Sequence, residues 1–204
     1  MKTVKRIASD RCCGAIIDLQ GFFLAQVDKR LRSRIKTNTG NFVRLLNYFQ
    51  IPIIVTLERP VETKGSLPKE IGKHLADHLG DRARTFEKDF FDLCKDEKIK
   101  AHLAGLKRQQ VIVAGCETDV CVLQSCLGLL SLGYEVFVIE ELIFSSSRDT
   151  DAAIARMQAE GVVFTTYKSL YYELIEAVGS DRHTDKIVET LGHFPDDLPD
   201  SALL

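Results

Sequence analysis

Short runs rich in Val, Ile and other apolar residues alternate along this chain with longer segments whose apolar residues recur every three or four positions. The short runs are typical of buried strands, and the longer segments of helices with one apolar face. Six strands are predicted on this basis, at residues 14–17, 52–56, 84–87, 111–113, 135–139 and 162–166. Helices are predicted between or after them, at residues 24–49, 68–78, 96–106, 121–132, 148–160 and 170–178.

The stretch from Val111 to Leu142 is the clearest structural unit, because its pattern predicts a strand, a helix and a second strand in succession. Such a crossover joins two parallel strands of one sheet. The same alternation elsewhere predicts an α/β, doubly wound fold, with a mainly parallel sheet of about six strands and helices on both faces in three layers. The 204 residues fit one domain, with a core at 10–180 and a C-terminal extension at 181–204. Thr37 to Gly40 interrupts the first helical pattern, which predicts two helices or a kinked one there.

Charge and composition limit the kinds of molecule that the protein is expected to bind. The 27 basic and 29 acidic side chains leave a net charge of −2, which favours a small molecule over nucleic acid or an anionic membrane. No apolar stretch approaches the ~20 residues of a membrane span, and the N-terminal residues lack the apolar core of a signal peptide, so a cytoplasmic protein is expected. The six cysteines include no C-x-x-C pair, and reduced thiols are expected.

Three residue types that support nucleophilic catalysis follow predicted strands. Asp18 ends the first strand, Lys88 follows the third, and Cys121 lies in the first turn of the helix after the fourth. Carboxyl ends of parallel strands meet at one edge of a sheet, where ligands bind. The helix N-terminus and a nearby cation favour the thiolate of Cys121. Each residue also has a plainer interpretation: Asp18 as a helix cap, Lys88 as a solvated lysine and Cys121 as core packing.

These residues belong to motifs that resemble the isochorismatase-like cysteine hydrolases. The motifs are Ile16-Ile17-Asp18-Leu19-Gln20, Lys88, the segment from Ala114 to Val122 that reads AGCETDVCV, and Gly133-Tyr134-Glu135-Val136. The resemblance covers roughly residues 10 to 180. It implies that Cys121 is the nucleophile, Asp18 the proton acceptor, and Lys88 the cation that orients Asp18 and helps to hold the thiolate.

The resemblance also implies the surroundings of this triad. A non-proline cis peptide is expected between Cys116 and Glu117, and the backbone N–H groups of Glu117 and Cys121 are expected to form an oxyanion hole. The implied reaction is acyl transfer from a small amide through a thioester. The substrate pocket is expected to include Gln20, Phe23, Glu58 and Cys116. A homo-oligomer is implied as well, although apolar and aromatic residues near the C-terminus suit subunit contacts or packing within one chain equally (Tyr171, Tyr172, Phe194, Leu203 and Leu204).

Several alternatives are weighed against this hypothesis. Nicotinamidases of the family place an Asp and several His after the second strand as a metal site, whereas residues 56–64 contain no histidine, so that activity is disfavoured. His74 and His78 lie four apart without a third ligand, so no metal is expected. A flavodoxin-like nucleotide-binding module would need a glycine-rich phosphate loop, which is absent from the sequence, and no cofactor is expected. A scaffold or interaction protein that has kept the fold and lost turnover is an alternative that the sequence leaves open.

Overall fold

Six parallel strands form a single sheet in the computed structural model, which describes residues 4–76 and 82–176. Their order across the sheet is β3-β2-β1-β4-β5-β6. The strands are β1 (Cys12–Ile17), β2 (Ile53–Glu58), β3 (Ala83–Lys88), β4 (Gln110–Cys116), β5 (Glu135–Phe144) and β6 (Val163–Thr165). All five neighbouring pairs are parallel, so the predicted doubly wound α/β fold is confirmed.

Helices connect the strands in the alternation that the sequence predicts. They are α1 (Gly21–Leu24), α2 (Lys29–Tyr48), α3 (Val61–Lys64), α4 (Lys69–Ala76), α5 (Glu97–Gly105), α6 (Leu123–Ser131), α7 (Asp151–Glu160) and α8 (Tyr167–Ile175). A short 3-10 helix, Leu93–Lys95, precedes α5, and a π-helical turn, Thr118–Val122, leads into α6. No helix within residues 4–76 and 82–176 is long and apolar enough to cross a membrane.

Two hydrophobic clusters cover the two faces of the sheet, which gives the expected three layers. Alternate residues of β1 point to opposite faces, as a strand's period of two requires. Cys12 and Ile16 join the cluster beneath α2, α4 and α8, whereas Cys13 and Ile17 join the cluster beneath α5, α6 and α7. All six cysteines are free thiols, as expected.

The interruption expected at Thr37 to Gly40 is wrong, because α2 continues through it from Lys29 to Tyr48. Thr39 and Gly40 are buried, and a Cβ on Gly40 would lie 3.2 Å from the Cδ2 atom of His74 in α4. The glycine therefore permits close helix packing there. The chain turns earlier, after α1, where the Asp28 side chain accepts a hydrogen bond from Leu31 N–H and caps α2.

The strand order places the ends of four strands side by side. Ile17 pairs with Thr56 on one side and with Gly115 on the other, and Glu58 pairs with Lys88. The carboxyl ends of β1, β2, β3 and β4 thus form one continuous edge. His78 and the extension from residue 181, including Phe194, Leu203 and Leu204, lie outside the described residues. Tyr171 is buried in the core, whereas Tyr172 is 46% exposed.

Candidate active site

A buried ion pair joins the ends of β1 and β3. The Lys88 Nζ atom lies 2.6 Å from Asp18 Oδ2, and both side chains are fully buried. Lys88 also donates to the Phe90 carbonyl over 2.9 Å, and its Nζ lies 3.7 Å from Cys121 Sγ. Thr56 in β2 donates its hydroxyl to Asp18 Oδ1 over 2.8 Å. Asp18 is therefore held by groups from two neighbouring strands, and the cation is shared between the carboxylate and the sulfur.

The loop after β4 brings Cys121 to this pair. The peptide between Cys116 and Glu117 is cis, as the resemblance implies, and Cys121 follows in the π-helical turn. Gly115 makes the approach of β4 to β1 sterically feasible: its φ is +122°, and a Cβ there would lie 2.0 Å from the Ile17 carbonyl oxygen. Only glycine fits such a contact. The three predicted catalytic side chains consequently meet in one place.

A second carboxylate contacts Cys121. The Cys121 thiol donates to Glu58 Oε2 over 3.0 Å, and the other oxygen of Glu58, Oε1, is paired with the Lys64 ammonium of α3. Lys64 also donates to the Arg59 carbonyl over 2.9 Å, and its Nζ lies 5.9 Å from the centre of the Phe23 ring. The sulfur thus contacts Glu58 and Lys88, and Lys64 pairs with Glu58 on the side away from the sulfur.

Burial and charge set the protonation of these groups. Burial raises the pKa of Cys121, and the Asp18 carboxylate raises it further against the opposing effect of Lys88. Burial likewise raises the pKa of Asp18 above its ordinary value, although Lys88 and Thr56 oppose this. Burial acts in the same direction on Glu58, but the hydrogen bond from Cys121 and the charge of Lys64 outweigh it and lower the pKa of Glu58.

The expected preference of Cys121 for the thiolate is opposed by its surroundings, which raise the pKa of the thiol. The helix N-terminus and Lys88 favour the thiolate, but loss of water and two adjacent carboxylates outweigh them. Because the pKa of the thiol is raised, attack on a carbonyl is helped by a proton acceptor. Asp18 is the better acceptor, because its pKa is raised whereas that of Glu58 is lowered. The arrangement can generate a thiolate by proton transfer within a site largely shielded from water.

The four residues expected to form the substrate pocket have different positions. Gln20 is fully buried, and its amide bonds the Glu58 backbone N–H and C=O and the Gly65 carbonyl, so it supports the end of β2. Cys116 is also buried and donates its thiol to the Asp18 carbonyl over 3.0 Å. Glu58 accepts the hydrogen bond from the Cys121 thiol, and the centre of the Phe23 ring lies 5.9 Å from Lys64 Nζ.

Sequence reasoning missed Thr56 and Lys64 as site residues. Thr56 carried a usable signal, since a hydroxyl near the end of a buried strand must find a partner. It pairs in register with Ile17, directly before Asp18. Lys64 carried none, because its distance from Glu58 depends on how α3 folds back after the cis Arg59–Pro60 peptide.

Two further polar residues fix the loops around the site. Ser125 of α6 accepts from Leu93 N–H and donates to the Phe91 carbonyl, each over 3.2 Å, and so ties the segment after β3 to the helix. Asp119 accepts hydroxyl hydrogen bonds from Ser145 and Ser147, at 2.6 and 2.7 Å. The π-helical turn that carries Cys121 is thereby held to the segment after β5.

Asp18, Glu58 and Cys121 also satisfy the donor requirement for a cation. One ligand atom from each lies within 4.8 Å of the others. Both carboxylates, however, are already neutralised by Lys88 and Lys64. A divalent ion held by these carboxylates would be repelled by the ammonium groups already paired with them, so the donor set fits a metal poorly.

Comparison with known proteins is consistent with this geometry. A family model described as "Isochorismatase domain" matches residues 15–169. The chain is 32% identical over 145 residues to "Secreted isochorismatase effector Isc1" of Phytophthora sojae, covering 70% of this chain and 67% of that protein. The structure of MAR1 ribonuclease from Caenorhabditis elegans has a TM-score of 0.78 at 25% identity, covering 96% of this chain and 98% of that one. The ycaC product of Escherichia coli, described as an octameric hydrolase of unknown specificity, has a TM-score of 0.81 at 22% identity, with 94% and 91% covered.

Proposed function

The chain belongs to the isochorismatase family, whose members are hydrolases, and on this premise we propose that it is a cysteine hydrolase of small amides. The observation that carries the proposal is the meeting of Cys121, Asp18 and Lys88 at one buried point, with Lys88 within 2.6 Å of the carboxylate and 3.7 Å of the sulfur. A nucleophile, a base and a cation at these distances are the parts that acyl transfer requires.

The proposed reaction proceeds in two steps. Asp18 accepts the thiol proton as Cys121 Sγ bonds to the substrate's carbonyl carbon, and the carbonyl electron pair moves to its oxygen. That pair returns as the C–N bond breaks, and Asp18 passes the proton to the leaving nitrogen. Water, deprotonated by Asp18, then attacks the thioester and releases the acid, and the proton returns to the sulfur. Lys88 holds the Asp18 carboxylate in place throughout and stabilises the thiolate when it forms.

The backbone N–H groups of Glu117 and Cys121 are proposed as the oxyanion hole. Glu117 follows the cis peptide and Cys121 lies in the helical turn, so both backbone nitrogens belong to the segment that carries the nucleophile. Donors fixed in the backbone need no rearrangement when charge develops on the oxygen, and losing one such donor typically costs about 10²–10³ in rate.

The setting of the reaction is proposed as follows. A single domain acts in the cytoplasm on a small molecule without a metal or cofactor, and the six free thiols suit a reducing compartment. A homo-oligomer is proposed because the E. coli neighbour is described as octameric. Phe22, Phe90 and Phe91 are about half exposed and suit subunit contacts.

Two alternatives remain to be tested beside this proposal. A scaffold without turnover is favoured by the closure of the site, since Cys121 is only 2% exposed. A nicotinamidase-type amidase is disfavoured by the absence of histidine from residues 56–64. An RNA substrate enters the comparison only through the name of the C. elegans neighbour.

Hydrolysis by the purified full-length protein tests the proposal directly. A panel of small amides, ureides and carbamates, with nicotinamide and a short single-stranded RNA, is assayed for release of ammonia, amine or nucleotides. We expect hydrolysis of at least one amide-type class, and its loss in Cys121→Ala and in Asp18→Asn. A Cys126→Ala variant is the matched control, because Cys126 is a buried thiol of α6 that takes part in neither the Asp18–Lys88 nor the Glu58–Lys64 ion pair. Turnover that survives Cys121→Ala, or that appears with RNA alone, would refute the proposal.

A further inference from the structure

The Lys64 ammonium lies beside the candidate active site, among three groups that suit a compact cation. Its Nζ atom is paired with the Glu58 carboxylate, donates to the Arg59 carbonyl over 2.9 Å, and lies 5.9 Å from the centre of the Phe23 ring. A carboxylate, a carbonyl and an aromatic face are the three kinds of group that recognise a compact cation. We refer to Glu58, Phe23 and the Arg59 carbonyl as the ammonium cage.

The cage is built into the fold independently of Lys64. The Glu58 backbone is clamped on both sides by the buried amide of Gln20, which accepts from its N–H over 2.8 Å and donates to its carbonyl over 3.2 Å. Phe23 is buried in the core, with 7% of its surface exposed. The Glu58 backbone and the Phe23 ring are therefore held by contacts that do not involve Lys64.

The cage also adjoins the nucleophile. One Glu58 oxygen accepts the hydrogen bond from the Cys121 thiol, and the other faces the Lys64 ammonium. The cation and the sulfur are thus separated by the width of one carboxylate group. A molecule whose carbonyl carbon is placed against Cys121 can put a substituent into the cage only if that substituent lies within a few bonds of the carbonyl.

Lys64 is an exchangeable occupant. Its side chain is 21% exposed, α3 spans only four residues, and a lysine stem can swing its charged head into water without movement of the backbone. Leaving the cage empty is unfavourable, because Glu58 would keep its negative charge beside a sulfur that becomes a thiolate. A cation supplied by the substrate neutralises Glu58 in place of Lys64. Exchange of the two cations therefore costs little free energy, whereas departure of Lys64 without a replacement is unfavourable.

We propose that the ammonium cage recognises a substrate amine, and that the substrates are small amides that carry a protonated amino group within a few bonds of the scissile carbonyl. The claim that the cage binds an ammonium group rests on the geometry of the cage alone. The claim that this ammonium group belongs to a substrate rests on the proposed amide hydrolysis. A compact ammonium fits better than a guanidinium, since the acceptors are not arranged as a planar pair.

Alkylation of Cys121 tests the cage without requiring turnover. Two probes of matched shape are compared, N-aminoethyl bromoacetamide and N-propyl bromoacetamide, and the modified cysteine is identified by peptide mapping. Each rate is divided by the rate of the same probe with free N-acetylcysteine. We expect the cationic probe to react about 10–100 times faster than the neutral one, the range that a hydrogen bond to a charged group supports.

Variants decide which residues carry that preference. Glu58→Gln keeps the shape and removes the charge, and should abolish the preference; Lys64→Met empties the cage and should speed the cationic probe. Lys36→Met is the matched control, because Lys36 pairs with Glu70 elsewhere on the surface, at 3.5 Å, and it should leave both rates unchanged. Equal rates for the two probes, a preference retained in Glu58→Gln, or slower cationic labelling in Lys64→Met would overturn the proposal. If Glu58→Gln does not fold, the probe comparison and Lys64→Met decide it alone.

Hydrolysis of β-alaninamide and butanamide separates the two proposals. The cage predicts a higher kcat/KM for β-alaninamide, expressed mainly in KM, and loss of that difference in Glu58→Gln. A cationic alkylation preference with no hydrolysis of either amide, or of any amide, ureide or carbamate of the panel above, supports the ammonium cage and overturns the amide hydrolysis. Equal hydrolysis of both amides, with equal alkylation rates, overturns the cage and leaves the hydrolase intact.

Discussion

Lys88→Met should destabilise the protein far more than an ordinary lysine replacement. Lys88 is fully buried and has three contacts, with Asp18 Oδ2 at 2.6 Å, the Phe90 carbonyl at 2.9 Å and Cys121 Sγ at 3.7 Å. Methionine has similar bulk but no charge. The substitution therefore leaves the Asp18 carboxylate in the interior without its counter-ion.

The magnitude follows from the ion pair. Two unit charges 2.6 Å apart attract by about 6 kcal/mol at an effective dielectric constant of about 20. The cost of taking both charges out of water largely offsets that attraction, so the intact pair contributes little net stability. Removing one partner is different, because Asp18 keeps its desolvation cost, and the expected loss is about 3–5 kcal/mol.

The loss of stability in Lys88→Met should also depend on pH. Burial already raises the pKa of Asp18, and removal of Lys88 raises it further. A carboxyl whose folded-state pKa is raised favours the folded state below its unfolded pKa, and this contribution disappears as pH rises through the folded pKa. Lys88→Met should therefore be less destabilising at about pH 5 than at about pH 8.

Urea unfolding of four proteins measures these effects: wild type, Lys88→Met, Asp18→Asn and the double variant. The double variant should recover at least about 1–2 kcal/mol relative to Lys88→Met, because no charge remains buried. Lys36→Met, at an exposed pair, should change stability by less than about 0.5 kcal/mol. A Lys88→Met cost no larger than that of Lys36→Met, or additive effects in the double variant, would refute the reasoning.

Three further substitutions test the supports of the site. Gly115→Ala places a Cβ 2.0 Å from the Ile17 carbonyl at a φ of +122°, so soluble expression or the melting temperature should fall sharply, whereas Gly105→Ala, with no atom within 4 Å, should be neutral or stabilising. Thr56→Val removes a donor that lowers the pKa of Asp18, so the acid limb of the kcat/KM profile should move to higher pH; an unmoved limb would contradict this role. Ser125→Ala leaves Leu93 N–H without its acceptor and should cost about 1–3 kcal/mol in urea unfolding, and a cost below about 0.5 kcal/mol would contradict that.

The sheet, and the convergence of Asp18, Lys88 and Cys121 at its edge, could be predicted because their signals are local. Each strand is a short apolar run, and Asp18, Lys88 and Cys121 occupy fixed positions relative to strand ends that parallel topology brings together. Thr37 to Gly40 misled the prediction because glycine in a helix serves close packing as well as turns. Its role depends on His74, which is distant in sequence.

The electrostatics of the site could not be predicted from the same signals. A thiol in the first turn of a helix is expected to ionise, but the pKa of Cys121 is raised by burial and by Asp18 and Glu58. Glu58 could be placed in the pocket, yet its contact with the sulfur and its pairing with Lys64 depend on how α3 folds over the end of β2. Such distances depend on how segments distant in sequence pack together, and local sequence patterns do not specify that packing.

The central claim is that Cys121 is a nucleophile activated by Asp18. Iodoacetamide labelling of the native protein, followed by peptide mapping of all six cysteines, tests it most directly. The account predicts that Cys121 is labelled first and that Asp18→Asn does not slow its labelling, because the Asp18 carboxylate raises the pKa of the thiol; the same variant should lose hydrolysis, because Asp18 accepts the thiol proton in that reaction. Labelling of Cys121 and Cys126 at equal rates, or hydrolysis that survives in Asp18→Asn, would contradict it.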